Sequence, residues 1–194
     1  MLGSLPTTLD VGGKSYKIRT DYRNILRIFA AYNDSELEDT EKVYICLYRL
    51  YVDFNSIPTE LYAEAYAAAL RFIECEMAHE DKPSPRTVNW EKDEQLIFPA
   101  VNKAAGMEVR SVPYLHWWTF YGYYQSIDHE SLCGFVMMIR QKRARGKKLE
   151  KYEKEFYQSN TALCQLDLGP NGRPKTAEDE LADMFNSLLE EGDE

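Results

Sequence analysis

The 194-residue sequence lacks the residue patterns that mark most enzymes and metal proteins. Its three histidines (His79, His116 and His129) are scattered, and none has a second histidine four residues later, as a zinc protease would. There is no G-x-S-x-G motif, and Gly146 is followed by two lysines without the Ser or Thr of a phosphate-binding loop. We therefore expect a protein that is not an enzyme and holds no metal and no cofactor.

Cysteines and long apolar runs are also scarce. The four cysteines (Cys46, Cys75, Cys133, Cys164) form no C-x-x-C pair, and each lies in an apolar or amphipathic stretch. This placement favours reduced, buried thiols over a disulfide framework. No apolar run reaches 18 residues, and no secretory signal begins the chain. We expect a soluble cytoplasmic protein that does not enter a membrane.

Basic residues are missing from the end of the chain. Eight of the 32 acidic residues follow Lys175, and no Lys or Arg does, so residues 1–175 carry 24 acids against 23 bases. The net charge of −9 therefore belongs almost wholly to residues 176–194. A nearly neutral body argues against a protein that binds nucleic acid over a broad surface.

The periodicity of the apolar residues predicts a mainly α fold with an N-terminal β-hairpin. Two short alternating stretches flank Gly12-Gly13, a dipeptide typical of hairpin turns. A hairpin alone is marginally stable, so this one must pack on helices or another strand. A bundle of about six to seven helices should follow. The predicted helices lie at about 22–32, 38–53, 58–78, 90–105, 113–124, from 128 or 131 to 140, and 177–189.

Residues 1–175 are predicted to form one helical domain. Charged residues, Ser and two prolines at about 79–89 indicate an exposed internal linker. Pro99 should kink or break the helix that ends at Gly106, a glycine suited to a C-terminal cap. Residues 176–194 should form an acidic tail with a short amphipathic helix.

Aromatic residues are concentrated in one stretch. Seven of the 25 aromatic residues lie between Pro113 and Tyr124. Pro113 suits a first helical turn, and a stripe then runs along the helix through Tyr114, Trp117, Tyr121 and Tyr124. We predict that this helix organises the core of the second half of the chain. Trp117 and Trp118 should differ in burial, because neighbouring residues point about 100° apart on a helix, and both are candidate partner contacts.

The densest basic run lies at 140–154. Three interpretations remain open: a solvated charged helix face, a docking site for an acidic segment such as the chain's own tail, and a nucleic-acid site. The tail itself either binds a partner or packs on its own domain. The candidate partner-binding residues in these two segments are Arg140, Arg143, Arg145, Lys147, Lys148, Leu181, Phe185 and Leu188.

Four segments of the chain resemble the bacteriophage gene-product-fifteen family of Gram-positive tailed phages and prophages. They are Trp90 with QLIFPAVNKAAGMEVR, then LHWWTFYGYY, then MMIRQKRARGKKLEKYEKEFY, and the hairpin segment LDVGGKSYKIRTDYR that precedes them. The resemblance spans roughly residues 5–165 and is most specific over 90–157. Its motifs are structural, so it transfers no catalytic residues.

The resemblance implies a tail morphogenesis factor, since the family is encoded between the tail-tube and tape-measure genes. The implied role is a tail assembly chaperone that binds the tape-measure protein and helps to recruit tail-tube subunits. A structural component retained in the virion and, less favoured, a nucleic-acid-binding regulator are the alternatives. A homo-oligomer is compatible with all three.

Overall fold

The computed structural model describes residues 3–34, 36–77, 85 and 87–166 and is mainly α, as predicted. Two antiparallel strands, β1 (Thr8–Val11) and β2 (Lys14–Lys17), come first. Eight α-helices follow in this part of the chain: α1 (Tyr22–Asn33), α2 (Asp39–Leu50), α3 (Tyr62–Ile73), α4 (Glu94–Ala105), α5 (Trp117–Gln125), α6 (Leu132–Ala144), α7 (Lys151–Ser159) and α8 (Thr161–Cys164). Single 3-10 turns occupy Phe54–Ser56, Thr59–Leu61 and Val109–Ser111.

The hairpin turns at Gly12 and Gly13, as the sequence predicted. Both glycines have positive φ angles (56° and 74°), which suit the two central residues of a type I′ turn. The hairpin packs on α3: the Gly12 N–H donates to the Glu64 carboxylate at 2.7 Å, and Val11 is buried. Contact with a helix thus supplies the support that two isolated strands lack.

Local capping signals set several helix ends where the sequence placed them. Asp21 caps α1 by accepting a hydrogen bond from the Arg23 N–H at 2.9 Å. Ser131 caps α6 in the same way, accepting from the Gly134 N–H at 3.1 Å. Gly106 ends α4 with the left-handed conformation that glycine adopts without strain.

The aromatic helix begins later than predicted, at Trp117, so the prediction that Pro113 opens it is wrong. The preceding residues instead pair with the start of α1. The Leu115 carbonyl accepts from the Tyr22 N–H at 3.0 Å, and the Trp117 N–H donates to the Thr20 carbonyl at 2.7 Å. These bonds hold the chain extended up to His116, which forms an isolated β-bridge with Asp21.

Other helix bounds also differ from the predicted ones. The helix α4 begins at Glu94 instead of Trp90 and continues through Pro99, an exposed residue. Of the predicted kink or break at Pro99, the break therefore does not occur, and the kink stays a prediction. The helix α3 ends at Ile73, five residues before the predicted end. It stops where Cys75 and Glu76 take up positive φ angles of 59° and 52°, a conformation that is costly for residues other than glycine. The predicted linker at about 79–89 lies largely outside the described residues.

The chain divides into two compact units. The first comprises residues 1–80 and 110–122. Its interior is mostly aromatic and aliphatic, with the Tyr22 and Phe120 rings stacked at 4.3 Å between centroids. The prediction that the aromatic segment centres the second half of the chain is therefore wrong. The largest fully buried side chains of this unit are Trp117, Tyr22, Tyr51, Phe72, Phe120, Ile25, Ile28, Leu47 and Leu50.

The second unit comprises residues 81–109 and 123–194. Its described core centres on three buried residues, Val136 and Ile139 of α6 and Cys164 of α8. Partly buried apolar side chains surround them, including Leu96 of α4 and Phe156 of α7. This unit is therefore a small helical core built around α6.

The four thiols are free, as predicted, and three of them are buried. Burial raises the pKa of the Cys46 thiol to about 12 and that of Cys133 to about 11. Cys75, at the end of α3, is only half-buried, so the prediction of burial does not extend to it.

Candidate protein-binding surfaces

Trp117, one of the predicted partner contacts, is an interior residue with 0% exposure. Its indole N–H donates to the Ile73 carbonyl at 2.8 Å, and its ring packs edge-on against Phe29 at 5.7 Å between centroids. Because a buried side chain offers no surface to a partner, we reassign Trp117 to the core of the first unit.

Trp118 is half-buried and, like Trp117, binds a carbonyl at the end of α3. Its indole N–H donates to the Phe72 carbonyl at 2.8 Å, and its ring stacks on the Phe72 ring at 6.0 Å. The last carbonyls of a helix have no partner within the helix, so the two neighbouring indoles satisfy two of them at the end of α3. The prediction that one tryptophan is buried and the other lies nearer the surface is confirmed.

His116 lies next to the two tryptophans and is also buried. Its Nδ1 accepts from the backbone N–H of Trp118 at 3.1 Å, which assigns the ring proton to Nε2. The protonated Nε2 then donates to the Pro6 carbonyl at 2.9 Å. Both ring nitrogens are thus occupied, and His116 is a hydrogen-bonded core residue.

Arg140, another predicted partner contact, forms an interior ion pair with Asp93 in the second unit. Both side chains are 3% exposed, and the guanidinium donates to the two carboxylate oxygens at 2.5 and 2.8 Å. It also donates to the carbonyls of Thr87 and Leu163, at 2.9 and 2.7 Å. We therefore reassign Arg140 from a partner surface to the core, where it joins α6, α8 and the residues before α4.

Lys142 forms an ion pair with an acidic residue of the same unit. Its ammonium pairs with the carboxylate of Glu153, a buried residue on α7. The hydrogen bond between them lowers the pKa of the Glu153 carboxyl below its usual 4.5 and raises the pKa of Lys142 above its usual 10.5. Arg140 and Lys142, two of the eight basic residues in the run, are thus paired with carboxylates and are not available to bind an anion.

The remaining basic residues of the run are exposed. Among the predicted contacts, these are Arg143, Arg145, Lys147 and Lys148. The Arg143 guanidinium lies over the ring of Tyr157 at 4.1 Å, a cation–π contact that holds its position. Because the other predicted contacts, Leu181, Phe185 and Leu188, lie outside the described residues, their roles stay predictions.

A second surface, which the sequence did not single out, lies on the first unit. Tyr44 and Tyr48 are 53% and 56% exposed on the side of α2 that faces away from its buried residues. Their rings stack at 6.2 Å over Phe54, which lies 5.2 Å from the Tyr44 ring and 5.1 Å from that of Tyr62. We call these four residues the tyrosine patch. The only signal in the sequence was two tyrosines four residues apart on the polar side of a predicted helix.

The tyrosine patch has the chemistry of a protein-binding surface. Tyrosine rings add apolar contact area with little loss of conformational entropy, and their hydroxyls supply hydrogen bonds at the rim of an interface. The buried Phe54 ring holds Tyr44 and Tyr48 in place from below, so the surface is formed before a partner arrives.

The described residues contain neither a cluster of metal-ligating side chains nor a membrane-spanning helix. Within residues 3–166, apart from those not described, no three His, Cys, Asp or Glu side chains come together as a metal site would require. The same part of the chain contains no helix that is long and apolar enough to cross a membrane.

Comparison with known protein families gives a match over most of the chain. A family model described as Bacteriophage Gp15 protein matches residues 1–166. No curated protein and no solved structure matches the chain.

Proposed function

The chain belongs to the Bacteriophage Gp15 protein family, and we propose that it is a tail assembly chaperone acting in the host cytoplasm. In this proposal it is not an enzyme. It binds the tape-measure protein during assembly, helps to recruit tail-tube subunits, and leaves before the virion is complete.

The tyrosine patch is the observation that supports a binding role. A long helical partner exposes apolar side chains before assembly, and these need a surface that is apolar enough to bind them yet polar enough to release them. Tyr44 and Tyr48 combine an apolar ring with a hydroxyl, and each is more than half exposed. We infer that an amphipathic helix of the tape-measure protein packs against this patch.

Coexpression with a fragment of the tape-measure protein of the same phage tests the proposal. The native chain should keep the fragment soluble and copurify with it. The double variant Tyr44→Ser/Tyr48→Ser should lose most of this effect, since truncating each aromatic residue at the centre of an interface costs about 1–2 kcal/mol, roughly tenfold in affinity.

A matched control is available in the second unit. Tyr152 is 59% exposed and stacks on Phe135, so Tyr152→Ser removes an equally exposed tyrosine elsewhere on the protein. This variant should solubilise the fragment as well as the native chain does. The proposal fails if the fragment precipitates equally with and without the protein. If mass spectrometry of purified virions finds the protein in stoichiometric amounts, it is a structural component of the tail instead.

A further inference from the structure

Six exposed basic residues of the second unit lie close together in the sequence, around the turn between α6 and α7. The helix α6 ends at Ala144, Gly146 turns the chain with a φ of 65°, and α7 begins at Lys151. Two exposed acidic residues, Glu150 and Glu155, accompany six exposed basic ones, which leaves four positive charges unbalanced. We call these six residues the basic surface: Arg143, Arg145, Lys147, Lys148, Lys151 and Lys154.

An exposed aromatic ring lies in the same segment. Tyr152, next to Lys151, is 59% exposed. Its hydroxyl lies 3.3 Å from the Glu153 carboxylate, to which Lys142 is also bound. The surface thus combines positive charge with an apolar ring, a combination that suits an acidic segment with apolar side chains better than it suits a simple inorganic anion.

The described chain ends beside this surface. Gln165 donates from its amide nitrogen to the Tyr157 hydroxyl at 3.3 Å, and Arg143 of the basic surface lies over the same Tyr157 ring. The Leu163 carbonyl is bound to Arg140, one turn before Arg143 on α6. The residues that follow 166 therefore start within reach of the basic surface.

The continuing sequence has the complementary composition. Residues 176–194 contain eight acidic residues and no basic one. They also contain five large apolar residues: Leu181, Met184, Phe185, Leu188 and Leu189. A chain of nine residues, the length of the segment 167–175 that precedes them, reaches at most about 30 Å, roughly the length of a helix of 20 residues.

We propose that residues 176–194 bind in cis to the basic surface. The tether makes the acidic segment a local ligand, at an effective concentration on the order of millimolar. An anionic partner must then displace the tail before it can bind the basic surface. The tail thus acts as a built-in competitor that restricts this surface to partners more strongly bound than the tail itself.

Carbodiimide cross-linking of the full chain, read by mass spectrometry, tests this proposal, since it joins only carboxylates and amines that are in contact. The expected bonds join acidic residues of 178–194 to Lys147, Lys148 or Lys151. Their yield should fall on the order of tenfold between 20 mM and 1 M salt, because the Debye length falls to about 3 Å. A mixture of isotopically labelled and unlabelled protein should show these bonds within one chain.

Two charge reversals separate specific from general attraction. The variant Arg143→Glu/Arg145→Glu leaves every lysine in place and should lower the same cross-links at least severalfold. Arg27→Glu, an exposed position on α1 in the first unit, should leave them unchanged. The proposal is overturned if the tail cross-links equally to Lys14 and Lys17 of the hairpin, if the bonds join two chains, or if reversal of Arg143 and Arg145 leaves the yield as it was.

Discussion

Replacing Arg140 by Met should strongly destabilise the protein, although Arg140 lies in the most basic stretch of the sequence. Arg140→Met keeps an unbranched apolar stem and removes the guanidinium. The Asp93 carboxylate then stays buried, and among the described residues it keeps the Asn89 N–H, at 2.9 Å, as its one hydrogen-bond donor. The carbonyls of Thr87 and Leu163 also lose their donor.

The expected loss of unfolding free energy arises because one member of a buried ion pair is left without its partner. Removal of a single partner costs about 3–5 kcal/mol, because the other charge remains out of water without compensation. With an m-value of about 2 kcal/mol per molar, the urea midpoint should fall by roughly 1.5–2.5 M. In the double variant Arg140→Met/Asp93→Asn the loss should be smaller than the sum of the two single losses, since no unpaired charge remains.

Urea unfolding followed by circular dichroism gives the midpoint, and hydrogen exchange should show that protection is lost in α4, α6 and α8. Arg143→Met is the matched control. It lies one turn further along α6, where its exposed guanidinium lies over the Tyr157 ring, so the substitution should cost less than about 1 kcal/mol. Equal midpoints for Arg140→Met and Arg143→Met would refute the argument and return Arg140 to the list of surface contacts.

Three further predictions concern single features of the structure. Gly134→Ala should destabilise the fold by about 1–3 kcal/mol, because the added methyl group would lie 2.4 Å from the Asp128 carbonyl oxygen. Gly122→Ala should stabilise the fold by about 0.5–1 kcal/mol, because its methyl group would have no atom within 4 Å. The melting temperatures of the two variants should therefore move in opposite directions. Because the pKa of Glu153 is lowered in the folded state, its pairing with Lys142 stabilises the fold above about pH 4.5 and is lost as the pH falls through that lowered pKa. On acidification, the urea midpoint of Glu153→Gln should therefore change less than that of the native chain. Equal changes in the two midpoints would count against the pair. Cys75 should react with a thiol reagent before Cys46 and Cys133, since it alone of the three is half-exposed; mass spectrometry of partly labelled protein identifies the order, and first labelling of Cys46 would contradict the fold.

Local features were predictable because neighbouring residues determine them. The Gly12-Gly13 turn follows from the positive φ angles that its two central residues need, and glycine adopts these without strain. The caps at Asp21 and Ser131 follow from side chains that reach back to the first N–H groups of their own helices. The burial of Cys46, Cys133 and Cys164 follows from apolar surroundings in the sequence.

The candidate surfaces were predicted less well, because charge and aromaticity do not reveal which side chains are used internally. The basic run at 140–154 looks uniform in sequence. In the structure, Arg140 is taken up by Asp93 and Lys142 by Glu153, while Arg143, Arg145, Lys147 and Lys148 stay exposed. In the aromatic stretch, Trp117 was predicted as a partner contact but is interior. Tyr44 and Tyr48, which lie outside that stretch and were not singled out, are exposed.

The sequence by itself determined the mainly α architecture, the N-terminal hairpin, the helix caps and the membership in a phage protein family, because each depends on residues close together in the chain or on the order of motifs. The tertiary structure alone decided that residues 110–122 join the first unit and that Arg140 meets Asp93 from 47 residues away. The physical reason is that burial and ion pairing depend on which distant segments pack together. Residue spacing along one helix predicts which side chains share a face, but only the packed fold determines whether that face is covered.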